Sequence, residues 1–235
     1  MINLKIKIFA DGANLDDIFQ LNDNNLIKGF TTNPSLMKKS NISNYKEFAD
    51  AILSTVKTKP ISFEVLSDDL NEMYNEAKII NSWSDNIYIK IPIQNTKGQS
   101  TKDIISSLCN ENVKCNVTAI FSIEQITELI KKLNKDSCFV LSIFAGRIAD
   151  TGVDPEPIFT KAKSIISNFK RSELLWASPR EAFNIIQANR CKSDIITLTP
   201  DFIKKMKNFG RDLNDFSLET VKMFYEDAKA IKIEM

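Results

Sequence analysis

Short apolar runs alternate with longer amphipathic stretches along most of this chain. Eight of the runs are rich in Ile, Val and Phe and have the length of buried strands: 5–10, 26–31, 61–66, 86–91, 113–118, 137–144, 173–176 and 194–197. Between them, apolar residues recur at steps of three and four, which predicts helices at 71–83 and 122–133. Ser122, with Gln125 three residues later, predicts a capping box at the start of the second of these helices.

Strand and helix alternating eight times predict a parallel sheet, and at this length they favour a (β/α)8 TIM barrel. The alternative is an open doubly wound sheet, which usually carries a Gly-rich turn after its first strand. Here that turn reads DGANL, and the chain has only six glycines. No linker divides residues 1–235, which we therefore expect to form a single barrel domain, with 151–157 as a loop inside it.

One further amphipathic helix is predicted at about 214–232, beyond the eightfold repeat. Its apolar face would be lined by Phe216, Val221, Phe224 and Ala228. A helix in this position is expected to cover one end of the barrel or to contact a neighbouring subunit.

The overall composition is balanced, with 31 basic and 30 acidic side chains and 43% hydrophobic residues. A net charge of +1 gives no electrostatic reason to expect nucleic acid or an anionic membrane as a partner. No apolar run approaches the ~20 residues of a membrane span. The four cysteines form no CxxC pair, so we expect reduced thiols in a cytoplasmic protein.

The chain contains no histidine. This excludes Ser-His-Asp and Cys-His nucleophile systems, imidazole acid–base chemistry and His-containing zinc sites. Any chemistry must depend on carboxylates, lysine, arginine, hydroxyls or amides.

In a barrel, functional side chains lie at the carboxyl ends of the strands. Polar residues stand at or just after the end of each of the first seven predicted strands, and together they would face one cavity: Asp11, Thr31, Asn33, Glu64, Lys90, Asn116, Thr118, Ser142, Arg147, Ser178 and Arg180.

Lys90 is the most informative of these residues, because it lies within the apolar run IYIKIP. Burial disfavours the ammonium form, so a buried lysine becomes an amine that attacks a carbonyl and forms a Schiff base. The alternative is a surface lysine at a strand end. Asp11 and Glu64 could move protons or could only balance the charge of Lys90.

Arg147 and Arg180 are two of only five arginines, and both follow predicted strands. With Ser178 they could clamp a phosphate group, or they could form salt bridges at the rim. Asn33 could cap a helix that Pro34 begins, or its amide could polarise a substrate hydroxyl. Phe144 is more typical of a core than of a site.

The chain resembles the transaldolase family of the class I aldolase barrels, in its small single-domain branch. The similarity extends from residue 8 to about residue 200 and rests on ordered segments: FAD at 9–11, GFTTNPSL at 29–36, Glu64, IKIP at 89–92, NVTA at 116–119, SIFAGRI at 142–148 and ASPR at 177–180.

The resemblance implies a transfer reaction in which Lys90 forms a Schiff base with a ketose and Asp11 deprotonates its C4 hydroxyl. A three-carbon dihydroxyacetone unit then passes to an aldose acceptor. Glu64, with a water near Thr118, would move the protons of imine formation. The residues expected to contact the three-carbon unit are Thr31, Asn33, Asn116, Ser142 and Phe144. Those expected to bind the sugar phosphate are Arg147, Ser178 and Arg180.

The same resemblance implies that no metal or organic cofactor is needed, because the protonated imine accepts the electrons. It also implies a place in carbohydrate metabolism, such as the pentose phosphate pathway, and a homo-oligomer, with rings of five or ten subunits as the family pattern. Fructose-6-phosphate aldolases are similar but carry Gln and Tyr where this chain has Glu64 and Phe144, which favours transfer over simple cleavage.

The chain departs from the family at Gly12, where Thr is usual, and in the segment 92–98, which is one residue longer and basic. These changes leave open a transaldolase for an unusual sugar in surface-polysaccharide or sulfosugar metabolism. A second hypothesis is a cofactor-free aldolase that releases free dihydroxyacetone. A third hypothesis is a catalytically silent barrel that only binds sugar phosphates, which the presence of Lys90 disfavours.

Overall fold

The computed structural model describes residues 4–231. Its centre is a closed barrel of eight parallel strands, in which each strand pairs with the next and β8 pairs with β1. The strands are β1 (Lys7–Asp11), β2 (Ile27–Thr31), β3 (Ile61–Glu64), β4 (Ile87–Pro92), β5 (Cys115–Ile120), β6 (Phe139–Ile143), β7 (Ser172–Trp176) and β8 (Ile195–Leu198). The predicted (β/α)8 barrel is confirmed, and each predicted apolar run overlaps one strand.

Helices connect the strands on the outside of the barrel. In chain order they are α1 (Leu15–Asn22), α2 (Pro34–Lys39), α3 (Tyr45–Thr55), α4 (Leu70–Asn81), α5 (Lys102–Asn110), α6 (Ile123–Ile130), α7 (Ala145–Ala149), α8 (Glu156–Ile165), α9 (Asn184–Arg190), α10 (Pro200–Lys205) and α11 (Leu213–Ala230). A short 3-10 turn, Met206–Asn208, follows α10.

The helix predictions differ from the structure mainly at the ends. The predicted capping box at Ser122 and Gln125 is present, but α6 ends at Ile130, three residues before the predicted end. Two connections carry a pair of helices: α2 and α3 after β2, and α7 and α8 after β6. The predicted loop 151–157 separates α7 from α8, but α8 already begins at Glu156 with Pro155 as its N-cap, so the loop is two residues shorter than predicted.

Strand residues alternate between two cores, because successive side chains of a strand point to opposite faces. The large core lies between the barrel and the helices and includes Phe63, Ile89 and Leu141. A smaller core fills the inside of the barrel, with Phe9, Val140, Leu175, Ala177 and Ile195. The ring of Phe9 occupies the space over Gly29, where a Cβ would lie 2.5 Å from a ring carbon.

The C-terminal helix α11 is present as predicted, and residue 232 of the predicted range lies outside the described residues. None of its residues is buried. Leu213, Val221, Phe224 and Tyr225 are each at least 60% exposed, so the described residues leave most of its apolar surface uncovered; Phe216 is the partly covered member, with the guanidinium carbon of Arg211 4.5 Å from its ring centre. No helix within residues 4–231 has the length and apolar character needed to cross a membrane.

Candidate active site

A cavity of about 460 Å³ opens at the carboxyl ends of the strands. It is the place where a barrel brings side chains from different strands together. Ten of the predicted site residues line it: Asp11, Thr31, Asn33, Glu64, Lys90, Thr118, Ser142, Phe144, Arg147 and Ser178. The structure therefore brings these residues together, while their roles stay predictions.

Lys90 lies near the end of β4 and is 7% exposed. Its Nζ lies 3.0 Å from Glu64 Oε2 and donates a hydrogen bond of 2.9 Å to the main-chain carbonyl of Thr32. Glu64 stands directly opposite Lys90, because β3 and β4 pair in register at these two residues. The amine is thus held at a fixed point of the cavity with a carboxylate in hydrogen-bonding contact.

Asp11 ends β1, next to Thr31 in the register of β1 and β2. Thr31 Oγ1 donates a hydrogen bond of 2.7 Å to Asp11 Oδ1 and forms a second hydroxyl contact with Thr197 of β8. Burial raises the pKa of Asp11, although Lys90 and the Thr31 hydrogen bond partly offset this effect. A carboxylate with a raised pKa is a stronger base than an exposed aspartate.

Thr118 lies near the end of β5, two residues after Asn116 and on the same inward face of the strand. Beyond it the strand is irregular: the pairing of β5 with β6 shifts between Val117 and Ile120, and Ala119 has a left-handed backbone with φ of 56°. Within residues 4–231, the buried hydroxyl oxygen of Thr118 has no hydrogen-bond partner. A buried hydroxyl on a polar cavity is satisfied when a water or substrate oxygen occupies the adjacent space.

Asn33 begins α2 as its N-cap, with Pro34 at the first helical position. Its Oδ1 accepts a hydrogen bond of 3.0 Å from the main-chain N–H of Leu36, so the capping prediction is correct. Capping uses only the oxygen of the amide, and a hydrogen bond from the side chain of Asn33 to Asp11 acts to lower the pKa of that carboxyl.

Asn116 does not line this cavity, in contrast to the expected ring of polar residues. It is 1% exposed, donates to Ser62 Oγ at 2.9 Å and accepts from Ser142 Oγ at 2.6 Å. Asn116 therefore forms a polar layer inside the barrel with Ser62 and Ser142, and of these three residues only Ser142 lines the cavity. Asn116 and Ser62 instead line a second space of about 160 Å³ inside the barrel.

The opposite side of the cavity is lined by Phe144, Arg147 and Ser178. The guanidinium carbon of Arg147 lies 5.9 Å from the centre of the Phe144 ring, within the range of a cation–π contact. Gly146 packs α7 against the loop after β7, since a Cβ on Gly146 would lie 1.6 Å from the carbonyl oxygen of Ser178. Ser178 has a left-handed backbone with φ of 60°.

Arg180 does not line the cavity, although its place in the sequence predicts a phosphate ligand. Its Nε lies 3.0 Å and 3.1 Å from the two carboxylate oxygens of Asp150, and its Nη2 also contacts Oδ2. Of the two alternatives that the sequence left open for Arg180, the structure contains the rim salt bridge.

The main residue that the strand-end reasoning missed is Thr197, near the end of β8. Threonine is common in strands, so its presence there carried no signal. Gly12 and the segment 92–98, where the chain departs from the family pattern, contribute nothing to the cavity lining. Within residues 4–231, no three metal-ligating side chains come close enough to hold a metal ion.

The fold and this cavity define a class of protein, namely a parallel (β/α)8 barrel with a buried lysine between carboxylates at the carboxyl ends of its strands. A sequence model described as Transaldolase/Fructose-6-phosphate aldolase matches residues 8–235. The chain belongs to this family.

Proteins named "Probable transaldolase" are similar over almost their whole length. The protein from Nitrosopumilus maritimus is 34% identical over 227 residues, covering 96% of this chain and 97% of its own. The protein from Methanococcus maripaludis is 32% identical and covers 91% and 94% of the two chains, and that from Ruegeria is 32% identical and covers 98% and 100%.

Proposed function

We propose that this protein is a transaldolase that moves a three-carbon dihydroxyacetone unit from a ketose to an aldose through a Schiff base on Lys90. The observation that carries the proposal is the buried Nζ of Lys90, 3.0 Å from Glu64 and in the same cavity as Asp11. Family membership and the names of the relatives support the same activity.

Imine formation begins when Lys90 gives a proton to Glu64 and the neutral amine attacks the C2 carbonyl of the ketose. The carbinolamine then loses its oxygen as water, and the protonated imine forms. Glu64 is within reach of both proton transfers, and the unpartnered hydroxyl of Thr118 provides a place for the water.

Cleavage follows when Asp11 takes the proton of the C4 hydroxyl. The C3–C4 bond breaks, its electron pair moves into the protonated imine to give an enamine, and the aldehyde leaves. Burial, which raises the pKa of Asp11, suits this carboxylate to the step. Thr31 holds the carboxylate in place, and Thr197 holds Thr31.

The enamine must last until an acceptor aldehyde arrives. Phe144 contributes an apolar ring to the cavity and has no acidic proton to give to the enamine carbon. That carbon attacks the acceptor aldehyde and re-forms a C–C bond, while Asp11 returns its proton to the aldehyde oxygen. Water then releases the new ketose from Lys90. The lack of an acidic proton on Phe144 therefore favours transfer of the three-carbon unit over release of free dihydroxyacetone.

The three-carbon unit is held by the amide of Asn33 and the hydroxyl of Ser142, which both line the cavity. Asn116 acts through its hydrogen bond to Ser142. Arg147 and Ser178 bind the phosphate of the sugar at the other side of the cavity, and Arg180 joins them when its bond to Asp150 opens.

The reaction is tested by incubating the protein with fructose 6-phosphate and borohydride, which reduces an imine to a stable amine. We expect a three-carbon adduct on Lys90 by peptide mass spectrometry and loss of transfer in Lys90→Met. Lys7→Met is a matched control, because Lys7 is a strand lysine paired with a glutamate and lines the second space and not this cavity. Absence of the adduct over a panel of ketoses, or full turnover in Lys90→Met, would refute the mechanism.

Product analysis without an acceptor aldehyde separates a transaldolase from an aldolase. A transaldolase keeps the dihydroxyacetone unit bound, whereas an aldolase releases it with every turnover. A donor and acceptor screen also distinguishes substrates of the pentose phosphate pathway from unusual sugars. The four cysteines are free thiols, three of them buried, which supports a reducing, cytoplasmic location.

The protein is also proposed to form a homo-oligomer through α11. The exposed apolar side chains of this helix, among them Val221 and Phe224, have no cover within the described residues. A second copy of the chain would bury them, and a ring of five or ten subunits is the family pattern. Light scattering after size-exclusion chromatography gives the mass, and Val221→Glu with Phe224→Glu should reduce it. A monomeric wild-type protein would contradict this proposal.

A further inference from the structure

The carboxylate of Asp150 binds one of the two arginines proposed for the sugar phosphate. Nε of Arg180 lies 3.0 Å and 3.1 Å from its oxygens, and Nη2 completes a chelate. The same carboxylate lies near Arg147, which together with Arg180 lowers the pKa of Asp150, the Arg180 hydrogen bond having the larger effect. An anion of this protein's own therefore stands near Arg147, which lines the proposed phosphate side of the cavity.

The elements that carry these groups are held firmly together. Arg147 lies on α7 and Asp150 caps its carboxyl end, so the two are separated by less than one helical turn. Gly146 brings α7 against the carbonyl of Ser178, and the main-chain N–H of Arg180 donates to Asn184 Oδ1 at 2.7 Å. Because the backbone on both sides is fixed, the side chain of Arg180 is the part that moves most easily between Asp150 and the cavity.

The ion pair itself is exposed to solvent. The side chains of Arg180 and Asp150 are 49% and 52% exposed, and an exposed pair of this kind is weak. A phosphate group offers Arg180 up to two negative charges and three acceptor oxygens, so it is a stronger ligand than one carboxylate. An unphosphorylated sugar offers only neutral oxygens, so the ion pair between Arg180 and Asp150 stays closed.

We propose that Asp150 and the phosphate of the substrate compete for Arg180, and that Asp150 is a specificity-determining residue that limits the preference for phosphorylated over unphosphorylated sugars. This inference rests on the proposed function for its substrates. In the free protein the phosphate site consists of Arg147 and Ser178, and Arg180 completes it only after leaving Asp150.

The experiment replaces Asp150 by Asn, which keeps the size of the side chain and removes its charge. Binding of inorganic phosphate is measured by isothermal titration calorimetry, and KM and kcat are measured for fructose 6-phosphate and for fructose. We expect Asp150→Asn to bind phosphate about two- to fivefold more tightly and to lower KM for fructose 6-phosphate by a similar factor, since opening an exposed ion pair has a small cost. KM for fructose and kcat for both sugars should not change.

Two further variants make the test specific. Glu156→Gln removes a carboxylate that chelates Arg190 in the same way, away from the cavity, and should leave phosphate binding unchanged. Arg180→Met should weaken phosphate binding, and in that background Asp150→Asn should lose most of its gain. A gain that persists in full without Arg180 would overturn the competition, as would Asp150→Asn binding phosphate no better than wild type.

The calorimetric titration needs no turnover. If the wild-type protein binds phosphate and Asp150→Asn strengthens binding while neither protein transfers dihydroxyacetone, the proposed function is wrong and the competition for Arg180 stands. If transfer occurs but Asp150→Asn leaves both the phosphate affinity and the KM ratio of the two sugars unchanged, the proposed function stands and the inference about Asp150 fails.

Discussion

Replacing Gly146 by Ala sets two effects of opposite sign against each other. Gly146 lies in α7, where alanine is favoured over glycine by about 1 kcal/mol. Its φ is not positive, so alanine meets no conformational penalty there. Helix propensity alone therefore predicts that Gly146→Ala stabilises the protein.

The packing of α7 predicts the reverse. The new Cβ would lie 1.6 Å from the carbonyl oxygen of Ser178, whereas ordinary contact begins at 3.4 Å, so α7 or the Ser178 loop must move by almost 2 Å. The obstacle is backbone, which cannot rotate away as a side chain does. Overpacking of this kind costs about 3 kcal/mol at the upper end of its usual range, which exceeds the propensity gain by about 2 kcal/mol.

The variant should therefore unfold at a lower urea concentration, with a free energy of unfolding reduced by about 2 kcal/mol and a Tm lower by about 4–8 °C. Because the shift separates Arg147 from Ser178, phosphate affinity should fall as well. Gly12→Ala is the control, since nothing lies within 4 Å of its added Cβ. A Gly146→Ala protein as stable as wild type, with unchanged phosphate binding, would refute the packing argument.

Three other variants test the carboxylates and their supports. Asp11→Asn should abolish transfer, yet the variant should be at least as stable as wild type at pH 8, because a carboxyl with a raised pKa lowers stability as pH rises from about 4 through that pKa. Urea titrations at pH 4 and pH 8 should show this advantage only at pH 8. A variant less stable than wild type at pH 8 would disprove the predicted direction of the pH dependence. Thr197→Val removes the hydroxyl that contacts the hydroxyl of Thr31, so kcat should fall about five- to tenfold with KM little changed. An unchanged kcat would show that Thr31 keeps its position without this contact. Tyr45→Phe removes a hydrogen bond of 2.8 Å to the main-chain carbonyl of Glu64 and should lower the free energy of unfolding by about 1 kcal/mol. Urea unfolding against wild type measures this loss, and equal stability would contradict the prediction.

The sequence predicts the fold well, because alternating strands and helices leave few arrangements for a chain of this length. Lys90 stood out because it lies in an apolar run typical of a strand that is buried on both faces, and of the two alternatives for this lysine the structure contains the buried one. Helix ends were harder to predict. The apolar spacing of 122–133 continues past Ile130, where α6 ends, because a pattern of apolar residues does not specify where the backbone hydrogen bonds stop.

The sequence could not predict how deep in the barrel each side chain of the site lies or which partner it binds. Asn116 and Thr118 are two residues apart on one strand and share a face, but Asn116 lies one layer deeper and binds Ser62 and Ser142. Arg180 turns to Asp150, a residue 30 positions earlier in the chain that no local pattern connects with it. Both outcomes depend on contacts between distant segments.

The two cores that alternate along each strand divide the chain into positions that can evolve separately. On β4, Ile89 belongs to the shell beneath the helices, while its neighbour Lys90 faces the cavity. We expect substitutions at the outward set to change mainly stability, and substitutions at the inward positions that line the cavity to change mainly the groups that meet a ligand. A directed-evolution library could therefore randomise every second strand residue for each purpose.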